Sequence, residues 1–392
     1  MSRAFIRQTE ETVNVNAGTR LGNVIGMLLV LVAATLHNSV GMLAAVIFAA
    51  ANGSLLRRSI NVSWFSGAFY LIAAYVLIRA VFPSLVPVLA QGQEALRFIA
   101  FGIFAYALQR MRVQELALAL KWFIVFLLLP FAFDLASGAI LSGEYRYRSL
   151  MPHANHLGYV CATILITFLY LHFSRLYSPR GLYLFLFAAL AMLILSKSSG
   201  ALFVFMAGVL TIFLSFRFSV KRGMYAFLAV LAVVMALQTP LGQYALEKIT
   251  VSDLDLIVEK ARSHEFGNQG SSFAWRMSYW IAMIDAQIDS GSAIVLFGQG
   301  GGATGDGNRV FDFISKDPHS DFVRVFIEYG AVGSLLIMAA LARGCMKAGP
   351  IALAMVILFG PMLTGNSIIS PPVMFPILIN LFILRKLSEG RK

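Results

Sequence analysis

Apolar blocks recur along the chain from Leu21 to Leu384, broken by short polar or basic segments. Most approach the roughly 20 residues that carry a helix across a bilayer core. Their boundaries predict spans at about 21–36, 39–56, 66–82, 94–109, 116–137, 154–173, 182–196, 199–216, 223–238, 321–342, 350–365 and 371–384. The first two share Leu21 to Leu56 with a turn at His37-Asn38-Ser39, because one long span there would reverse the side of every later loop. The predicted fold class is all-α: a polytopic membrane helix bundle of about twelve transmembrane helices, with a large helical loop before the tenth. Residues 1–20 and 385–392 form inside tails, and residues 21–238 carry helices one to nine. Residues 239–320 form the large outside loop and 321–384 carry helices ten to twelve. Met1 to Arg20 is polar and lacks the pattern of a removable signal, so this tail is expected to remain.

Composition agrees with that pattern. The chain is 59% hydrophobic and 13% charged, where a soluble domain carries about 25% charge, and its mean hydropathy is +0.78. The net charge of +12 invites a nucleic-acid partner, and its distribution argues against one. Arg57 and Arg58, Arg110 and Arg112, Arg175 and Arg180, and Lys221 and Arg222 all fall on the side of the N-terminus. The outside turns at 37–38 and 366–370 carry no Lys or Arg. This is the positive-inside rule at work, so the excess charge sets orientation. Cys161 and Cys345 lie far apart in predicted helices and form no metal or redox spacing.

The candidate chemistry lies outside. In the large loop, 243–262 and 271–289 read as helices, the second amphipathic with Phe273, Met277, Trp280, Ile281, Ile284 and Ile288 on one stripe. That stripe suits an interfacial helix over the bundle, and Arg276 beside it can face a site beneath. Gly300, Gly302 and Gly305 spell G-x-G-x-x-G, but no strand or βαβ unit surrounds them. A tight turn that brings backbone close to a polar ligand fits better. In Asp317-Pro318-His319-Ser320-Asp321, Asp317 is expected to cap the tenth span and place His319 in its first turn. The macrodipole there keeps imidazole neutral, as a general base requires, although a capping-region His meeting headgroups fits the same residues.

A second outside loop, 138–153, leads through Glu144, Arg146 and Arg148 to His153, Asn155 and His156. The two histidines have a spacing seen in some zinc sites, but no third ligand follows. Arg146 and Arg148 suit either snorkelling to lipid phosphates or a bidentate grip on a lipid-linked diphosphate. The turn Ser196-Lys197-Ser198-Ser199-Gly200 has Lys197 as its only charge.

Taken in order, these residues resemble the O-antigen ligase/Wzy-type polysaccharide polymerase family of GT-C-like bacterial membrane glycosyltransferases. The likeness rests on Arg148 with Pro152, Asn155 and Gly158, on the 196–200 turn, and on Trp275-Arg276 with Trp280. Phe297-Gly298-Gln299-Gly300 and Pro318-His319-Ser320-Asp321 with Glu328-Tyr329-Gly330 complete it. The resemblance implies a multi-pass protein of the bacterial inner membrane with its active face periplasmic. Its donor would be an undecaprenyl-diphosphate-linked oligosaccharide, and its acceptor a glycan or lipid A-core hydroxyl. His319 matches the catalytic base, and Arg148 and Arg276 match diphosphate-holding arginines. Arg146, Lys197 and Arg324 are further phosphate candidates, Glu328 is placed to orient Arg324, and Asn155 and Ser320 are supporting residues. The sequence departs from the family with Ser199 where Arg is common in the 196–200 turn, and with Ser320 where Asn often follows the catalytic His.

No metal and no cofactor are expected, because the leaving group is already a diphosphate that fixed cations can stabilise. Membrane lipids, a flippase and a chain-length regulator are the further expected partners, with no nucleic acid. The polymerase reading is preferred to the ligase. The rival is a precursor transporter or flippase, which would favour internal repeats and ionisable residues at the bilayer midplane. The sequence shows no repeat, and Arg79, Glu94, Arg97 and Asp134 fall toward outer helix ends.

Overall fold

A computed structural model describes residues 21–52, 64–84, 86–137, 146–174, 182–215, 254–264, 266, 272–305, 310–313, 317–348 and 350–389. All regular structure among them is helical. In chain order the helices are α1 (Leu21–Leu36), α2 (Asn38–Ala51), α3 (Trp64–Ala80), α4 (Val88–Leu108), α5 (Val113–Ala136), α6 (Ala154–Phe173) and α7 (Leu182–Leu195). There follow α8 (Ser199–Ser215), α9 (Leu254–Ser263), α10 (Ser272–Asp289), α11 (Ser292–Phe297), α12 (Asp321–Met346), α13 (Ile351–Thr364) and α14 (Pro371–Glu389). Each expected span coincides with a helix except 223–238, which lies outside the described residues, as do residues 1–20 and 390–392 of the expected tails, Glu144 and residues 243–253; residues 385–389 of the expected tail continue α14.

Four helices, α5, α6, α12 and α14, are long and apolar enough to cross a membrane, and six shorter helices are also apolar. The outer faces are apolar too: Phe133 and Leu184 are each 75% exposed. Contiguous greasy surface of this kind drives aggregation in water but is matched to lipid, which supports a membrane location. The innermost helix is α14, which is apolar all round and buried from Pro371 to Leu384. It packs against α1, α2, α4, α5, α6 and α13.

One membrane-length helix is broken. Gly330 interrupts α12 with φ 66° and ψ −172°, a left-handed conformation that a side chain would strain. The glycine-rich segment fills the gap. The N–H groups of Gln299 and Gly300 donate to the carbonyls of Ile327 and Glu328, both at 2.9 Å. Gln287 of α10 donates its amide to the Phe326 and Ile327 carbonyls at 3.4 and 3.3 Å. From the other side, Arg79 of α3 donates to the carbonyls of Phe297 (2.9 Å) and Gly298 (2.7 Å). A Cβ at Gly298 would sit 2.3 Å from the Glu328 oxygen. Gly298 and Gly300 therefore serve close backbone docking on α12, a role that the sequence did not suggest.

The N-terminal ends of α6, α8, α12 and α14 meet at one end of the bundle. Gly158 lets α6 press on α8, since a Cβ there would lie 2.8 Å from the Ala201 methyl and 2.9 Å from the Ser196 hydroxyl. Helix α10 lies over this end, but its buried side differs from the expected stripe. Ser278, Tyr279, Met283 and Gln287 are fully buried, whereas Ile288 is 54% exposed. Tyr279 and Met283 pack against Val323 and Ile327 of α12, and that contact rotates the helix away from the orientation its largest apolar residues suggest.

Candidate functional site

The segment 317–320 approaches α12 as a short strap. The helix begins at Asp321 with Ser320 in the N-cap position, so His319 precedes the helix and does not lie in its first turn as expected. Asp317 is drawn away from capping by Arg324, whose Nη2 lies 3.3 Å from its carboxylate. Asp321 is itself committed: its Oδ2 accepts the Ser367 N–H (2.7 Å), the Ser367 hydroxyl (2.8 Å) and the Ile368 N–H (2.9 Å). On the other side, the Trp280 indole N–H donates to the Pro318 carbonyl at 2.6 Å.

Between these anchors His319 adopts φ 52°, a left-handed conformation that costs a non-glycine residue about 1–2 kcal/mol. Such strain persists only where the surroundings over-determine it. Its ring centroid lies 6.1 Å from that of Trp275. Burial is the first cause holding the imidazole below the ordinary histidine range. Asp317 pulls it up, while Arg276, His153 and Arg324 push it down. His319 is thus neutral at neutral pH, by desolvation and nearby cations instead of the helix dipole.

Tyr159, one turn into α6, is the centre of a second group. Its hydroxyl hydrogen-bonds to the carbonyl and the hydroxyl of Thr364, both at 2.7 Å. Arg276, Arg146 and Asp321 all lie within electrostatic reach of it. Arg146 donates to the Ser196 carbonyl (3.2 Å) and to the Asn155 side-chain oxygen (2.6 Å), tying the 146–148 segment to α6 and the 196–198 turn. Arg276 has no such anchor: its Nε is buried without a hydrogen-bond partner among the described residues. Burial, and then repulsion by Arg146, disfavour its charge, with Tyr159 opposing. His153 and His156 stand alongside, their rings 5.4 Å apart and edge to face. Among the described residues no three His, Cys, Asp or Glu side chains are grouped as metal ligands.

Arg324 belongs to a different environment. It is 2% exposed and faces Asp317 and Glu328, with Nε 3.3 Å from Glu328 Oε1 and 3.0 Å from the Thr304 hydroxyl. Thr304 donates its hydroxyl to the same glutamate oxygen at 2.7 Å. The expected Arg324–Glu328 contact is therefore present, and it locks the glycine-rich turn to α12.

The structure thus brings together Arg146, Asn155, Arg276 and His319, with Ser320 buried in the strap beneath them. Arg148 is exposed, and although its carbonyl accepts the Met151 N–H at 3.0 Å, its side chain makes no hydrogen bond or ion pair among the described residues. Lys197 heads the 196–198 turn with φ 49°. Sequence reasoning missed Tyr159, Asp321 and Thr364 as site residues. Tyr159 carries no signal, being one aromatic among many on an apolar helix. Asp321 had one: an acid at the mouth of a predicted span requires partners.

An all-helical bundle with a lipid-matched exterior and a cationic, imidazole-bearing cluster at one end has the architecture of a polytopic membrane enzyme. Residues 184–338 match the family model described as O-antigen ligase, which bears out the resemblance drawn from the residues and supports an O-antigen ligase- or polymerase-type membrane enzyme. The match covers less than half of the chain, from α7 into α12. It includes Lys197, Arg276, His319, Ser320, Arg324 and Glu328, while Arg146, Arg148 and Asn155 precede it. No curated protein matched the chain.

Proposed function

We propose that this chain transfers a glycan from undecaprenyl diphosphate to a hydroxyl acceptor on the periplasmic face of the bacterial inner membrane. It does so as a polysaccharide polymerase in preference to a ligase, with twelve spans and the loop at 239–320 outside as part of the proposal. The observation that carries this reading is the Arg276 guanidinium, whose buried Nε has no partner among the described residues, beside Arg146 and a neutral His319. A cation without a counter-charge among the described residues suits an anionic guest, and guanidinium forks suit phosphate oxygens.

In the reaction, His319 takes the proton from the acceptor hydroxyl, and that oxygen attacks the anomeric carbon. The bond from the anomeric carbon to the phosphate oxygen breaks, and undecaprenyl diphosphate leaves with the bonding electron pair. Arg276 and Arg146, joined by the exposed Arg148 and by Lys197, hold the charge that develops on it. Fixed cations of this kind serve the role of a metal, so EDTA is expected to leave the rate unchanged. Asn155 orients Arg146 through its 2.6 Å hydrogen bond. Arg324, ion-paired with Asp317 and Glu328, is a positioning residue for the strap in preference to a phosphate ligand, and Ser320 begins the helix that holds it. A flippase and a chain-length regulator would supply donors and set product length.

One observation favours a transporter: α12 is broken at Gly330, as helices at transporter binding sites often are. Here, though, the freed carbonyls are taken by Gln299, Gly300 and Gln287, leaving no open coordination for an ion. Purified protein in proteoliposomes, given undecaprenyl-diphosphate-linked oligosaccharide on its outer face, separates the two. A transferase consumes the donor and releases undecaprenyl diphosphate. A transporter moves the intact lipid across and releases none.

A further inference from the structure

The buried polar atoms without a partner among the described residues include Nε of Arg276 and Nη1 of Arg324 on the cationic side, Oδ1 of Asp317 in the strap, and Oδ1 of Asp321 and Oδ1 of Asn366. Asp321 is 0% exposed. Its other oxygen is filled by three donors from Ser367 and Ile368, and its backbone N–H donates to the Gly365 carbonyl at 3.0 Å. Asn366 sits between those anchors, so the free acceptors of Asp321 and Asn366 both belong to the junction of α12 with the α13–α14 loop. Tyr159 joins this junction to the cationic side, because the hydroxyl that holds Thr364 also lies within electrostatic reach of Arg276 and Arg146.

At the junction of α12 with the α13–α14 loop the two unpartnered atoms, Oδ1 of Asp321 and Oδ1 of Asn366, are thus both acceptors. A buried acceptor without a donor costs about 1–3 kcal/mol, so the natural guest brings donors to it. A phosphate brings only oxygens, which would meet the lone pairs of Asp321. A metal ion would stand near Arg276 and Arg146, against their charge, with one carboxylate oxygen already filled. A sugar brings several O–H donors on a neutral frame.

We infer that Asp321 and Asn366 form a sugar-hydroxyl subsite, which receives ring hydroxyls of the glycan while its diphosphate lies against Arg276. The inference rests on the transferase reading and extends the site beyond residues 184–338, into the α13–α14 loop. It also assigns His319 its place, since the strap runs from the cationic side to Asp321 and so passes between phosphate and sugar. The substrate class is a glycan held by its hydroxyls as well as by its phosphates.

The test compares two probes on the full chain in nanodiscs: undecaprenyl diphosphate, and the same lipid carrying oligosaccharide purified from the cells that make this protein. Asn366→Ala is expected to leave the affinity for the bare lipid within about twofold. It should cut the extra affinity conferred by the glycan by about tenfold, the order of one or two lost hydroxyl hydrogen bonds. Asn366→Asp keeps an acceptor and should retain most of that extra affinity. Asp321→Asn probes the carboxylate directly, but Asp321 also anchors Ser367 and Ile368, so the Asn366 pair decides. If the glycan adds no affinity in the natural chain, or if Asn366→Ala keeps the addition in full while the bare lipid still binds, the subsite is overturned and the transferase reading stands. If neither lipid binds the natural chain, the transferase reading falls and takes the subsite with it.

Discussion

Arg276 and Arg324 both stand near His319, and the fold treats them in opposite ways. Arg324 is enclosed by Asp317, Glu328 and Thr304, so its charge is neutralised by the protein itself. Each leaves one buried nitrogen without a hydrogen bond, but Arg276 lies beside a second guanidinium and has no ion pair among the described residues. A buried charge that is paired holds structure together, and removing one partner is costly because the other is stranded. A desolvated charge that is left unpaired is unfavourable on its own, and such groups gather at functional sites. The contrast separates a cation that builds the site from one that waits for a guest.

The largest effect is expected where both regions converge. General-base catalysis contributes about 10²- to 10⁴-fold, so His319→Ala should lose that much transfer rate in the proteoliposome assay while its affinity for undecaprenyl diphosphate changes little. Near-full activity would place the base elsewhere.

Next comes the structural arm. Arg324→Gln strands Asp317 and Glu328, and should lower stability by about 3–5 kcal/mol, read as a drop in denaturation midpoint. Arg276→Gln should leave that midpoint unchanged or raise it. Equal destabilisation by the two variants would erase the comparison.

A smaller effect is the acid limb of the rate. His319 must be neutral to accept a proton, and its surroundings hold its pKa below the usual 6.5. Activity should therefore persist through neutral pH and fall only below that value. Asp317→Asn removes the one neighbour that favours the protonated ring, so the limb should move to lower pH. Arg276→Gln removes a repelling cation, so the limb of its residual activity should move up. Shifts of the opposite sign in pH–rate profiles would contradict the assigned electrostatics.

The smallest effect concerns Arg148. It is exposed and unanchored, so Arg148→Lys should change transfer by only a few fold, less than Arg276→Lys, where the planar fork is lost in a desolvated setting. A larger loss at Arg148 than at Arg276 would shift the phosphate site outward.

Much of this was legible in the sequence. The apolar blocks located the helices to within a few residues, because lipid-length burial leaves a long uniform signal. His319, Arg276 and the Arg324–Glu328 pair were also visible, the pair because i,i+4 spacing makes helical neighbours. What failed were features set by distant contacts. Asp317 and Pro318 looked like a helix start, but Asp317 is drawn to Arg324 and the cap passes to Ser320. The Gly300–Gly305 run gave no hint that Gln299 and Gly300 dock their backbone N–H groups beside the break at Gly330, a residue whose positive φ no local pattern announces. The stripe on α10 was misplaced because Tyr279 and Met283, not the larger neighbouring set, found α12.

The central claim is that Arg276 awaits a lipid-borne diphosphate. Its most direct test is the affinity of the folded chain in nanodiscs for undecaprenyl diphosphate, measured for the natural protein and for Arg276→Gln. A charge-assisted hydrogen bond contributes about 1.5–3 kcal/mol, so the variant should bind roughly 10- to 100-fold more weakly, and added salt should weaken the natural protein more than the variant. Equal affinity of the two proteins, with both folded, would contradict the account.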